Sequence, residues 1–162
     1  MTITAYTRIL MHTVLALLAI ATLPALAQEE EQPAPRVADD AAVWSVIERA
    51  WRSERENDDD WVNDLLSADF VGWSNDSPAP RDKSSTRQWT QFNNKQDKLL
   101  EYELYPLSIV VHGDTAIAHY LFASVMQIRG NAPRQLTGRY TDVLVRTANG
   151  WRFLAWHGGS DN

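Results

Sequence analysis

The chain has 162 residues and no cysteine, which excludes disulfides and metal sites built on thiolates. With 21 acidic against 15 basic side chains it carries −6 at neutral pH, so its surface repels phosphate backbones and nucleic acid is not an expected partner. The length suits one domain with one sizeable core.

Residues 1–27 read as a cleavable secretory signal peptide. Arg8 precedes an apolar run over 14–23, Pro24 follows, and Ala25-Leu26-Ala27 supplies a small-x-small cleavage site. The run is shorter than the roughly 18 apolar residues that span a bilayer. The expectation is cleavage after Ala27, leaving a periplasmic or secreted protein with no membrane association. Without the leader, 14 basic and 21 acidic side chains remain, a balance of −7. Residues 28–39 are acidic and contain proline, with little to bury, and predict a disordered linker. The folded domain is expected over 40–160.

Asp39 or Asp40 offers an N-cap for a helix over 41–56, where Val43, Trp44, Ile47, Ala50 and Trp51 recur at helical spacing. Asp58, Asp59 and Asp60 precede a shorter helix with Trp61, Val62, Leu65 and Leu66. Carboxylates at a helix N-terminus suit its unpaired N–H groups, a simpler role for them than a metal site. A polar, proline-rich loop over 74–80 leads to Asp82, which caps a third helix reaching about Asn93, with Trp89 and Phe92 on one side. From Leu99 the period becomes two. Pro106 predicts a bulge or an edge position, and Gly113-Asp114 a turn. Residues 115–129 are apolar on both alternations, which predicts cover on both faces. Asn149-Gly150 predicts a type I′ hairpin joining two final strands. Those strands mix Tyr140, Trp151, Phe153 and Trp156 with Arg139, Asp142 and His157, a composition suited to a pocket wall.

This order of pieces resembles the NTF2-like superfamily, in its polyketide-cyclase-like (SnoaL-like) or related domain-of-unknown-function (DUF4440-type) branch. The resemblance spans about 41–157. It is carried by the helix with Trp44 and Ile47, Ala68-Asp69-Phe70, Gly113-Asp114-Thr115-Ala116, and the ending Arg139-Tyr140-Thr141-Asp142-Val143, Asn149-Gly150-Trp151-Arg152-Phe153 and His157. It implies an α+β cone: three N-terminal helices packed on a strongly curved antiparallel sheet around a cavity, with homodimers formed through the outer sheet face. It does not imply one activity, because the fold serves isomerases, dehydratases, hydrolases and binding modules.

Strand alternation puts Tyr120, Phe122 and Ser124 on one face, opposite His119, Leu121 and Ala123. On the next strand Tyr140 and Asp142 lie opposite Arg139 and Thr141. The similar kinase association domains imply pocket positions at Phe122 and Asp142. Tyr120, Phe122, Tyr140 and Asp142 are therefore expected inward with Trp156 nearby, an assignment that a single bulge would reverse. Asp142 among aromatics would hold a raised pKa and act as general base or acid; its alternative is a structural ion pair with Arg152 or Arg139. Tyr120 or Tyr140 would donate to a developing oxyanion. His157 is a further catalytic candidate, and its alternative is a hydrogen-bonded structural group at a strand end. His119 ranks below it. Trp73 is expected at the pocket mouth. The histidine spacing gives no metal motif, and no cofactor is expected. Two main readings remain: a cavity binding a small apolar molecule, or a cofactor-free isomerase or dehydratase using Asp142. A structural dimer module is the third.

Overall fold

The protein is described from a computed structural model covering residues 37–161. The expected signal peptide and the linker as far as residue 36 lie outside the described residues. The elements run α1 (Val37–Glu56), α2 (Trp61–Leu65), β1 (Leu66–Ser74), β2 (Arg81–Asp82), α3 (Lys83–Asn93), β3 (Asp97–His112), β4 (Thr115–Ile128), β5 (Arg134–Thr147) and β6 (Gly150–Ser160). The strands form one sheet in the order β2-β1-β6-β5-β4-β3. This is an α+β cone with three helices against a curved sheet. One pairing departs from the antiparallel expectation: β1 lies parallel to β6.

α1 starts at Val37, inside the stretch expected as linker, and Asp39 and Asp40 occupy its first turn instead of capping it. There they complement the helix macrodipole, and Asp39 also pairs with Arg146 at 3.0 Å. The helix buries Val43 and Ile47 completely, worth about 2 kcal/mol each in removed apolar surface. Before α2, Asp58 Oδ1 accepts from the Asp60 N–H at 3.0 Å. Lys83 Nζ, at the start of α3, donates to the Asn63 and Leu66 carbonyls at 2.8 and 2.7 Å. It thereby satisfies the carbonyls left open where α2 passes into β1. Asp82 caps α3 as expected, accepting from the Ser85 N–H at 2.7 Å.

Bulges set the curvature and decide which side chains face inward. Near Pro106 the β3 register slips at Leu107, so Ile109 and Val111 turn to the core while Val110 faces out. On β6 the register slips between Phe153 and Ala155. That slip turns Trp156 inward and His157 outward, the reverse of simple alternation from Phe153. The β4–β5 ladder has no slip, so Tyr120 opposes Tyr140 and Ala118 opposes Asp142.

Two further expectations differ from the structure. In the last hairpin Thr147 pairs with Gly150, and only Gly150 has a positive φ, 92°, while Asn149 does not. The turn is centred one residue earlier than a type I′ pair on Asn149-Gly150. The Thr147 hydroxyl stabilises it by accepting from the Asn149 N–H at 3.1 Å. The outer face of β4 is also not covered by the described residues. Ile117 and Leu121 are exposed there, beside Tyr105, Leu107 and Val110 of β3.

Candidate functional site

The helices and the concave face of the sheet enclose a partly open cavity of about 600 Å³. Its walls come from α1 (Trp51, Glu54), β4 (Tyr120, Phe122), β5 (Tyr140, Asp142) and β6 (Trp156). The regular β4–β5 register brings Tyr120, Phe122, Tyr140 and Asp142 to one face, as strand alternation predicts. Trp156 joins them because of the β6 bulge. Gly72 makes room for its indole: a Cβ there would stand 2.5 Å from Trp156 Nε1 and 2.6 Å from Phe70 Cζ. Phe70 and Trp156 pack with ring centroids 4.4 Å apart.

Asp142 is 2% exposed. Burial pushes its carboxyl up from 3.8 to about 8, and a hydrogen bond from the Tyr120 hydroxyl offsets part of that rise. Its Oδ2 has no hydrogen-bond partner among the described residues. Neither arginine weighed as its ion-pair partner reaches it. Arg139 pairs with Asp161 at 3.0 Å, and Arg152 donates to the Asn63 carbonyl at 3.3 Å. A buried acid with a free oxygen and no counter-cation is held neutral by desolvation, and it can donate a hydrogen bond to a ligand.

The tyrosines extend this polar floor. Trp51 Nε1 donates to the Tyr120 hydroxyl at 3.2 Å, linking α1 to the Asp142 site. Tyr120 and Tyr140 stack with centroids 5.9 Å apart. Burial and then the neighbouring Asp142 carboxylate raise both phenols, so both stay protonated donors at neutral pH.

A second carboxyl lies in the cavity and was not singled out from the sequence. Glu54 Oε1 accepts from Trp61 Nε1 at 3.0 Å, and burial raises the group from 4.5 to about 7 despite that bond. The signal for it was present: Glu54 continues the stripe of Val43, Ile47, Ala50 and Trp51, where a glutamate is out of place. Trp51, one of the residues at helical spacing on α1, packs on Phe122 with ring centroids 5.0 Å apart and lines the cavity.

Two expected site residues lie elsewhere. Trp73, 47% exposed, and His157 are on the opposite side of the sheet. Their rings are 5.9 Å apart, Trp73 Nε1 donates to the Ser77 carbonyl at 3.0 Å, and His157 Nδ1 lies 3.1 Å from the Trp73 carbonyl oxygen. The β6 bulge carries His157 out, and the parallel pairing of Trp73 with His157 keeps the two together. His119 likewise faces out, 2.9 Å from the Thr141 hydroxyl. Among the described residues no group of three or more histidine, aspartate or glutamate side chains is placed to share a metal ion.

A three-helix cone with a curved sheet and an aromatic cavity defines an NTF2-like fold. Residues 43–160 match the SnoaL-like domain family, and the chain belongs to it. Solved structures agree in fold. A conserved protein from Planctomyces limnophilus is 21% identical, with a TM-score of 0.71 over 77% of this chain and 98% of that one. A ketosteroid isomerase-like protein from Erwinia carotovora atroseptica is 12% identical, with a TM-score of 0.70 over 78% and 99%. An NTF2-like protein of unknown function in nutrient uptake from Rhodospirillum rubrum is 17% identical, with a TM-score of 0.64 over 74% and 98%. No curated protein matches the sequence.

Proposed function

We propose that this protein binds a small, largely apolar molecule in the cavity between α1 and the sheet. The observation that carries the reading is the buried Asp142 carboxyl, whose Oδ2 has no hydrogen-bond partner among the described residues, in the wall of an aromatic-lined space of about 600 Å³. A pocket of this size suits a bicyclic to steroid-sized ligand. The neutral carboxyl would donate to a ligand carbonyl. Isothermal titration with a panel of neutral bicyclic and steroidal ketones tests it. Saturable one-to-one binding is expected, lost when Ser124→Phe fills the cavity. No binding by any member of the panel overturns the reading.

A second reading, acid–base catalysis, is favoured by the raised carboxyl beside a phenol. As a base, ionised Asp142 would take a proton from the carbon next to a carbonyl, while Tyr140 donates to the enolate oxygen. Asp142, once its proton has exchanged with water, would protonate the enolate at another carbon, which completes an isomerisation without a cofactor. The Erwinia protein of the same fold is described as ketosteroid isomerase-like. The test is loss of deuterium from α-deuterated 2-tetralone. Exchange should rise through about pH 8 and vanish in Asp142→Asn. Equal exchange in both proteins counts against catalysis and leaves binding standing.

The site operates, in this proposal, in an exported homodimer. The leader-like pattern of residues 1–27 supports export. The exposed row of Ile117, Leu121, Leu107 and Val110 supports a second copy against the outer sheet face.

A further inference from the structure

We propose that the cavity selects ligands bearing a carboxylate, with the apolar body inside and the anion at the rim on Arg81. This rests on the ligand-binding reading above and adds the ligand's chemical class. Arg81 lies in the two-residue strand β2, where its pairing with Gly72 of β1 fixes its backbone. Its side chain lines the cavity, and its guanidinium carbon stands 4.5 Å from the centroid of the Trp89 ring. The contact with the ring takes up none of its N–H groups, and no ion pair among the described residues engages them. That edge matches a carboxylate with two parallel hydrogen bonds.

Among the described residues Arg81 enters no ion pair; the arginines that do are Arg49, Arg139 and Arg146. Trp89 and Arg134, both exposed, line the cavity where it meets solvent. Arg134 also has no carboxylate partner among the described residues. Two further acids line the cavity, Asp76 and Asp97, and neither forms an ion pair with Arg81; Asp97 Oδ1 accepts from the Arg129 N–H at 3.1 Å.

The interior is hostile to an anion. A carboxylate moved in among Phe122, Tyr140 and Trp156 would lose its hydration, and at pH 7 it would meet a partly ionised Glu54. The rim is therefore the favourable place for the charge. A flat acid whose rings fill the aromatic interior satisfies both ends.

Isothermal titration at pH 7 and low salt, with 2-naphthoate and the uncharged 2-naphthamide, tests this on the full-length protein. Wild type should bind the acid about tenfold more tightly than the amide, equivalent to about 1.4 kcal/mol. Arg81→Gln should abolish that preference while leaving amide affinity within about twofold, since only the charged contact is removed. Arg81→Lys, which keeps the charge but not the planar edge, should retain a preference of only about threefold. Added salt should weaken the acid alone. Equal affinity for the two compounds in wild type overturns this inference and leaves the ligand-binding reading standing. An acid preference that persists in both Arg81 variants overturns the role of Arg81. Binding of neither compound overturns this inference, and the ketone panel then decides the ligand-binding reading.

Discussion

Asp142→Asn removes the most perturbed carboxyl of the cavity while keeping its shape, and its effect on stability should depend on pH in a defined way. Below 3.8 the folded and unfolded chains both hold the Asp142 proton, so the site adds no pH dependence there. Between 3.8 and about 8 the unfolded chain loses the proton and the folded chain keeps it, so wild-type stability falls as pH rises. Above about 8 both are ionised and the loss is complete. That interval, at 1.36 kcal/mol per pH unit, sets a ceiling of about 6 kcal/mol. Relaxation and water entry reduce it, and about 2–4 kcal/mol is the expected difference. Asparagine cannot ionise. The variant should therefore match wild type within about 1 kcal/mol at pH 4 and exceed it by about 2–4 kcal/mol at pH 9. Urea unfolding at a series of pH values, with m unchanged, measures this directly. A variant less stable than wild type at pH 9, or an offset constant across pH, would refute the reasoning.

Three other outcomes follow from the same geometry. Glu54→Gln should flatten the part of the wild-type stability decline that lies between 4.5 and about 7, measured in the same titration series. Gly72→Ala places a methyl 2.5 Å from Trp156 Nε1. It should cost about 1–3 kcal/mol in urea unfolding and change the near-ultraviolet circular dichroism as the indole shifts. If the proposed dimer forms through the outer face, Leu121→Asp should leave the chain folded and lower the sedimentation coefficient to that of a monomer; a coefficient unchanged from wild type would count against that face as the interface.

The fold was legible because periodicity changes sharply along the chain, from the helical spacing of Val43, Ile47 and Ala50 to a period near two after Leu99. Asp82 and Gly113 punctuated the elements through local chemistry that does not depend on tertiary contacts. The β4–β5 face was legible for the same reason: an unslipped ladder keeps Tyr120, Tyr140 and Asp142 together. The β6 face was harder to read, because an extra residue at the bulge reverses the parity of everything after it. His157 therefore left the site while Trp156 stayed. Trp73 was misplaced because the parallel partnership of β1 with β6 joins segments far apart in the chain, and no local pattern encodes it. Glu54 was overlooked although its position on the apolar stripe of α1 marked it. Arg81 carried no sequence signal, since its partner Trp89 meets it only once β2 docks against α3.

The most direct test follows the Asp142 carboxyl carbon by nuclear magnetic resonance, in the free protein and with 2-naphthamide added. The resonance should titrate near 8 in the free protein and shift saturably as the neutral ligand fills the cavity. A carboxyl that titrates in the ordinary aspartate range, near 3.8, and ignores the ligand would contradict the account.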